Sequence, residues 1–248
     1  MVTNQALKFY KGNNKLGPDV VHFSLPAGHS CPGASACLSK ADPDTGKITD
    51  GARTEFRCFS ASNEAVFSNV RNARWHNYQA LLTAKTAKAM SALLIDGLAD
   101  TVTRKTKAVR IHVSGDFFNQ DYFDAWLLAA QNFPDTKFYA YTKSLNLWVA
   151  RLNMLPPNFT LIASFGGRHD QLIAKFSLPS AVVVYHPEEA EALGLQIDHD
   201  DSHAQAGRTF ALLVHGTQPK GSKASEALKR MDLEGVTYSY PAKEAVPV

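Results

Sequence analysis

The sequence predicts an α/β protein built on a mainly parallel sheet. Three observations carry that expectation: six short runs rich in β-branched and aromatic residues, longer amphipathic stretches between them, and near-continuous apolarity in several of the runs. Strands with one wet face alternate polar and apolar residues. Runs such as VRIHV, LIASF, AVVVY and FALLV instead read as strands buried on both faces. Regular βα alternation implies right-handed crossovers, in a sheet that is either open and doubly wound or curled toward a barrel.

In chain order, the runs are Val20 to Leu25, Ala108 to Val113, Lys137 to Tyr141, Thr160 to Phe165, Ala181 to Tyr185 and Thr209 to Val214. Between the first two, an apolar stripe from Val66 to Leu94 predicts one long helix from about Ser62 to about Ala99. Ser62-Asn63-Glu64 is its start and Gly97 a candidate break. QDYFDAWLLAAQN, residues 120–132, has helical spacing and stops before Pro134. Shorter helices are expected near Leu145 to Met154, Asp170 to Phe176, Pro187 to Leu193 and Ser222 to Met231. The segment 39–56, which opens SKADPDTGKITDGARTE, is polar and turn-rich and reads as a surface insertion compatible with a hairpin.

The chain has 248 residues, 45% hydrophobic and 20% charged, which excludes disorder and leaves enough length for a sizeable core without disulfides or metal. No linker or repeat interrupts the pattern, so one domain over 1–248 is expected. A formal net charge of +3 without a dense basic block favours neither nucleic acid nor membrane as partner. The start MVTNQALKFYKGNNK lacks the apolar run of a signal peptide, and no apolar run approaches membrane-spanning length. A soluble cytoplasmic protein is expected.

In parallel α/β folds ligands bind beyond the carboxyl ends of the strands. The ends here read PAGHSCPGASAC, SGDFF, TKS, GGRHD, HPEE and HGTQPKGS. Cys31 and Cys37 lie in the first, and Cys58 follows the polar insertion. Three cysteines cannot pair completely, and none lies in an apolar run. Soft thiolates in a turn-rich loop suit iron-sulfur or zinc, and three of them would leave one iron of a 4Fe-4S cluster open. Zinc is the rival, with His29 completing a Cys3His set, although no C-x2-C or H-x3-5-H pair occurs.

At the second end, Ser114, Gly115 and Asp116 combine close backbone approach with a carboxylate for an amino group; otherwise Asp116 caps the next helix. Lys143, Ser164 and the Gly166-Gly167-Arg168 turn offer charge and polar groups to an anionic ligand. His186 and His215 directly follow apolar strands and share that rim. The run HDDSH, with His199 and His203, reads as a solvated loop rather than a metal site, and GTQPKGS lacks phosphate-loop spacing.

The strings FSLPAGHSCPGASAC, RCFSA, VRIHVSGDFFNQDYFDAW and FYAYTKS resemble the phage "gene product 88" family of uncharacterised proteins. That family is similar in turn to radical S-adenosylmethionine proteins. The likeness spans roughly Lys15 to Phe165 and implies a partial, TIM-like (β/α)6 barrel. It also implies Cys31, Cys37 and Cys58 as ligands of a 4Fe-4S cluster, and Ser114, Gly115 and Asp116 as the motif that binds the amino group of S-adenosylmethionine. A phage origin would place the protein in the host cytoplasm. The spacing here is C-x5-C-x20-C rather than C-x3-C-x2-C. A non-enzymatic redox or regulatory cluster protein and a zinc-binding, nucleic-acid-associated protein therefore stand beside the radical enzyme. A small ligand at the open iron is the partner implied.

Overall fold

The computed structural model describes residues 6–13 and 15–236. All six expected runs are strands: β2 (Val20–Ser24), β5 (Ala108–Ser114), β6 (Lys137–Thr142), β7 (Phe159–Ser164), β8 (Ser180–Val184) and β9 (Phe210–Leu213). They lie in sequence order and pair in parallel throughout, with β1 (Tyr10–Lys11) added antiparallel to β2. The sheet is open, with β1 and β9 at its edges, so no closed barrel forms among the described residues. The insertion 39–56 does contain a hairpin, β3 (Ser39–Ala41) with β4 (Ile48–Asp50). It is not wholly superficial, because Ser39 and Ala41 are buried.

The long helix expected from 62 to 99 is three helices: α1 (Phe59–Val66), α2 (Ser68–Ala84) and α3 (Ala87–Thr101). Phe67 is extended between the first two; Lys85 turns left-handed at φ 62° and Thr86 then caps α3 by accepting the Ala89 N–H. Gly97 does not break α3. It is a packing glycine, since a Cβ there would stand 2.7 Å from the Phe9 ring. The remaining helices are α4 (Gln120–Gln131), α5 (Leu145–Val149), α6 (Gln171–Lys175), α7 (Pro187–Ala192), α8 (Ser202–Gln205) and α9 (Lys223–Leu233). A 3-10 turn, Leu152–Met154, completes the stretch expected as one helix after β6.

Strand alternation divides the core. Phe138 and Ala140 of β6, Val109 and Ile111 of β5, and Leu161 and Ala163 of β7 pack with α2 to α6. Tyr139, Ile162 and Phe210 face the other way and meet Ala204 of α8 and Leu16. The short α8 thus covers β6 and β7 on the face opposite the main helices, and the space beyond it toward the strand ends is a cavity.

Candidate functional site

The cavity, about 510 Å³, is bordered by all three cysteines of the chain, although Cys58 is 27 positions from Cys31. Ser114, Gly115, Asp116, Lys143, Ser164 and His215 border it as well. The strand-end argument therefore brought nine candidates to one place. A volume of this size lies within the range of about 300–1,000 Å³ usual for small-molecule sites.

The cysteine loop is fixed from two sides. On one side, the Gly166 carbonyl accepts the amides of Ser35 and Ala36 at 3.1 and 2.9 Å, and the Gly33 carbonyl accepts the amide of Arg168 at 2.9 Å. Gly166 (φ +88°) has room for no side chain, because a Cβ would stand 2.8 Å from that of Ala36. Gly166 is thus a platform for the loop and does not border the cavity. On the other side, Glu64 of α1, fully buried, accepts the Ala27 amide at 2.9 Å, the Arg74 guanidinium at 2.7 Å and the Ser114 hydroxyl at 3.4 Å. One carboxylate therefore ties the entry of the loop, the helix after Cys58 and the end of β5 together.

Each cysteine keeps some accessible surface. Burial pushes the Cys31 thiol well up, reinforced by Asp116 and then by the other two cysteines, against a hydrogen bond from the Gly28 amide at 3.3 Å. Burial likewise pushes Cys58 up to about 11, with Cys37 adding to the rise, while the amides of Ala61 and Ser60 favour its thiolate. The sulfurs of Cys31 and Cys58 are poor anions by themselves and call for positive charge near them. Among the described residues, no group of three or more His, Cys, Asp or Glu is arranged to hold a metal ion. His29 does not border the cavity: its Nε2 lies 3.0 Å from the Ala41 carbonyl and its ring stands on Trp75.

Asp116 does not cap α4, whose cap is Asn119, accepting the Tyr122 amide at 2.8 Å. The Asp116 carboxylate instead accepts the Phe117 amide at 2.7 Å, the Thr142 hydroxyl at 2.6 Å and the Lys143 amide at 2.8 Å, locking the ends of β5 and β6. Burial nonetheless raises its pKa. The Lys143 ammonium donates to the Ser164 hydroxyl and to the carbonyls of Ser164 and Phe165. No carboxylate among the described residues lies within 4 Å of it, although its charge favours the ionised Asp116, and this buried cation borders the same cavity as the thiols. His186 belongs elsewhere: it caps α7 and meets Glu234 at 2.7 Å.

The largest group that sequence reasoning missed centres on Asp201. The HDDSH run, residues 199–203, is solvated at His199, Asp200 and Ser202, but its Asp201 is fully buried, as is Asp198 just before it. Asp201 takes a left-handed backbone (φ 65°) and meets Lys15 and Arg110, each at 2.6 Å, and the hydroxyls of Tyr139 and Tyr141 at 3.1 and 3.0 Å. The signal was Arg110 itself, a charged residue inside a strand read as buried on both faces. Lys15, Arg110 and Tyr141 border the cavity.

His112 and His215 also border it, and both are held neutral. Burial lowers His112 to about 3, with Arg110 contributing, and lowers His215 to about 4, with Lys15 and Arg110 contributing. Each imidazole titrates near 6.5 once unfolded. The unfolded chain therefore takes up protons that the folded chain refuses, and stability falls as pH drops from about 6.5 toward 4. Urea midpoints measured from pH 7.5 to 4.5 should decline below about 6.5; His112→Gln should flatten that decline.

The fold and cavity define an α/β protein with a mostly parallel sheet and a thiol-lined pocket at the strand ends. The family model described as "Gene product 88" matches residues 4–231, and the chain belongs to that family. It is 30% identical over 139 residues to the "Gene 88 protein" of Mycobacterium phage D29, covering 54% of this chain and 51% of that protein. The "Gene 88 protein" of Mycobacterium phage L5 is likewise 30% identical over 139 residues, covering 54% and 52%. The chain thus spans about half the length of these phage relatives. No solved structure gives a significant match. None of these matches is to a radical S-adenosylmethionine protein. No helix among the described residues is long and apolar enough to cross a membrane.

Proposed function

We propose that the cavity holds a 4Fe-4S cluster on Cys31, Cys37 and Cys58. The observation that carries this reading is that every cysteine of the chain borders one cavity at the carboxyl ends of parallel strands. The donor chemistry fits: the raised thiols of Cys31 and Cys58 want a cationic centre, and the amides of Gly28, Ala61 and Ser60 already face sulfur. Lys143, a buried cation on the same cavity, is the counter-charge for the anionic assembly that thiolates make around a cluster. His29, the fourth donor expected of a Cys3His zinc site, does not border the cavity, and the thiols border a space larger than one ion needs, which favours the cluster over that site.

When bound, such a cluster supplies single electrons and one iron open to a small ligand. The protein's own residues do the rest. Gly166 and Glu64 hold the loop, and Lys143 balances charge. Asp116 presents a carboxylate whose bonds to Thr142 and Lys143 keep it aimed from the end of β5. The sequential, parallel strand order with the main helices on one face supports a partial-barrel, radical-SAM-like reading, in which S-adenosylmethionine is the small ligand and the amine meets Asp116. The competing reading is a redox or regulatory cluster protein without turnover.

Anaerobic reconstitution of wild type and of Cys37→Ser tests the ligand set. The substitution is expected to reduce bound iron at least tenfold while the circular dichroism stays native; undiminished iron in Cys37→Ser would overturn it. Release of 5′-deoxyadenosine from S-adenosylmethionine under dithionite separates the enzyme from the redox protein.

A further inference from the structure

We propose that His112, in the wall of the cavity, donates a hydrogen bond from Nδ1 to an uncharged acceptor, a ring nitrogen or a carbonyl oxygen, on a small and largely apolar ligand. The inference goes beyond the cluster reading and does not depend on it, because none of the thiols takes part.

The tautomer follows from Tyr122. The His112 Nε2 lies 3.1 Å from the Tyr122 hydroxyl, and Tyr122 is fully buried. No other acceptor among the described residues meets that hydroxyl. Were Nε2 protonated, the phenol proton would be buried with nothing to receive it and Nδ1 would be a bare acceptor, which makes two unmet groups in place of one. Tyr122 therefore donates to Nε2. The imidazole, held neutral by burial, carries its proton on Nδ1.

That proton has no acceptor in the fold. His112 is 3% exposed and borders the cavity, and its Nδ1 has no hydrogen-bond partner among the described residues. A buried N–H left unmet is costly to folding, and an occupant of the cavity can supply the acceptor that the chain does not. The ring is set before any ligand arrives, with Nε2 held by Tyr122 and Phe117 packed edge-on at 4.7 Å. Because the imidazole is neutral, it selects by hydrogen bonding rather than by charge: an acceptor satisfies Nδ1, whereas an apolar molecule of the same shape leaves it unmet. Ala34, Phe59, Val113 and Leu212 border the same cavity and offer apolar surface to the rest of the ligand.

Nitrogen NMR of the full chain at neutral pH reads the tautomer first, and Nδ1 is expected to carry the proton. Titrations with pyridine, with N-methyl-2-pyridone and with benzene follow, the iron content of each sample being measured. Pyridine and benzene share a shape and differ in the ring nitrogen, while N-methyl-2-pyridone offers a carbonyl. At least one of the two acceptors is expected to bind at least fivefold more tightly than benzene and to move the His112 Nδ1–H signal to saturation; the stronger arm tells ring nitrogen from carbonyl. The double variant His112→Phe with Tyr122→Phe removes both polar partners and keeps two rings, so it should stay folded and lose that preference. The wild-type signals decide the matter without the variant. A proton on Nε2, equal affinity for benzene and both acceptors, an unmoved Nδ1–H signal, or a preference that survives in the folded double variant would overturn the proposal. Acceptor binding by a chain that never loads iron would count against the cluster alone, and iron loading without acceptor binding would count against this site alone.

Discussion

Replacing Asp201 by Ala is expected to destabilise the fold by about 3–5 kcal/mol, the usual consequence of removing one partner from a buried ion pair. Asp201 is fully buried and accepts from Lys15, Arg110, Tyr139 and Tyr141. Its pKa is lowered despite burial, because Arg110 and Lys15 outweigh the desolvation. Without it, two cations remain in a poorly hydrated space and two tyrosine hydroxyls lose their acceptor. Lys15→Met in the Asp201→Ala background should recover part of the loss, since it removes one of the two cations that Asp201 held. Urea unfolding of the four chains in this cycle gives the answer. A loss below about 1 kcal/mol for Asp201→Ala would mean that the α8 segment contributes little to holding the sheet.

The second large effect is expected at Arg74. This residue neutralises Glu64, which is fully buried and whose Oε2 has no hydrogen-bond partner among the described residues. Arg74→Met leaves that carboxylate uncompensated, at a cost of about 3–5 kcal/mol. The effect should reach the site. Glu64 holds Ala27 at the start of the cysteine loop and Ser114 at the end of β5, so a relaxed Glu64 frees the loop that carries Cys31 and Cys37. Glu64→Gln keeps the shape with an uncharged side chain. It should cost less stability than Arg74→Met yet still accelerate the loss of bound iron to a chelator. If both variants lose stability while iron leaves at the wild-type rate, Glu64 supports the fold and not the loop.

How much of this was legible in the sequence depends on how far away each residue's partners are. All six parallel strands could be read because each is a short, nearly unbroken apolar run, and burial on both faces leaves that mark locally. The cysteines, Ser114 to Asp116, Lys143, Ser164 and His215 could be placed together because strand ends in a parallel sheet point the same way. The single helix from 62 to 99 was misread because nothing between Val66 and Ala87 is a Gly or Pro. The breaks are made by an extended Phe67 and a left-handed Lys85, with Thr86 as the one conventional cap. Gly97 looked like a break, but its partner, the Phe9 ring, comes from the first strand region, far away in sequence. Asp201 looked solvated because its partners are Lys15, Arg110 and two tyrosines of β6, all far from it in sequence. Gly166 was read as part of a turn offering polar groups to an anionic ligand, but what approaches it is the cysteine loop and not a ligand.

The direct measurement is the iron, acid-labile sulfide and zinc content of the full chain purified without oxygen. The expected result is about four iron and four sulfide per chain, with the visible absorption of an iron-sulfur cluster. One zinc per chain without sulfide, or a colourless chain that takes up no iron on anaerobic reconstitution, would contradict the assignment of Cys31, Cys37 and Cys58 as cluster ligands.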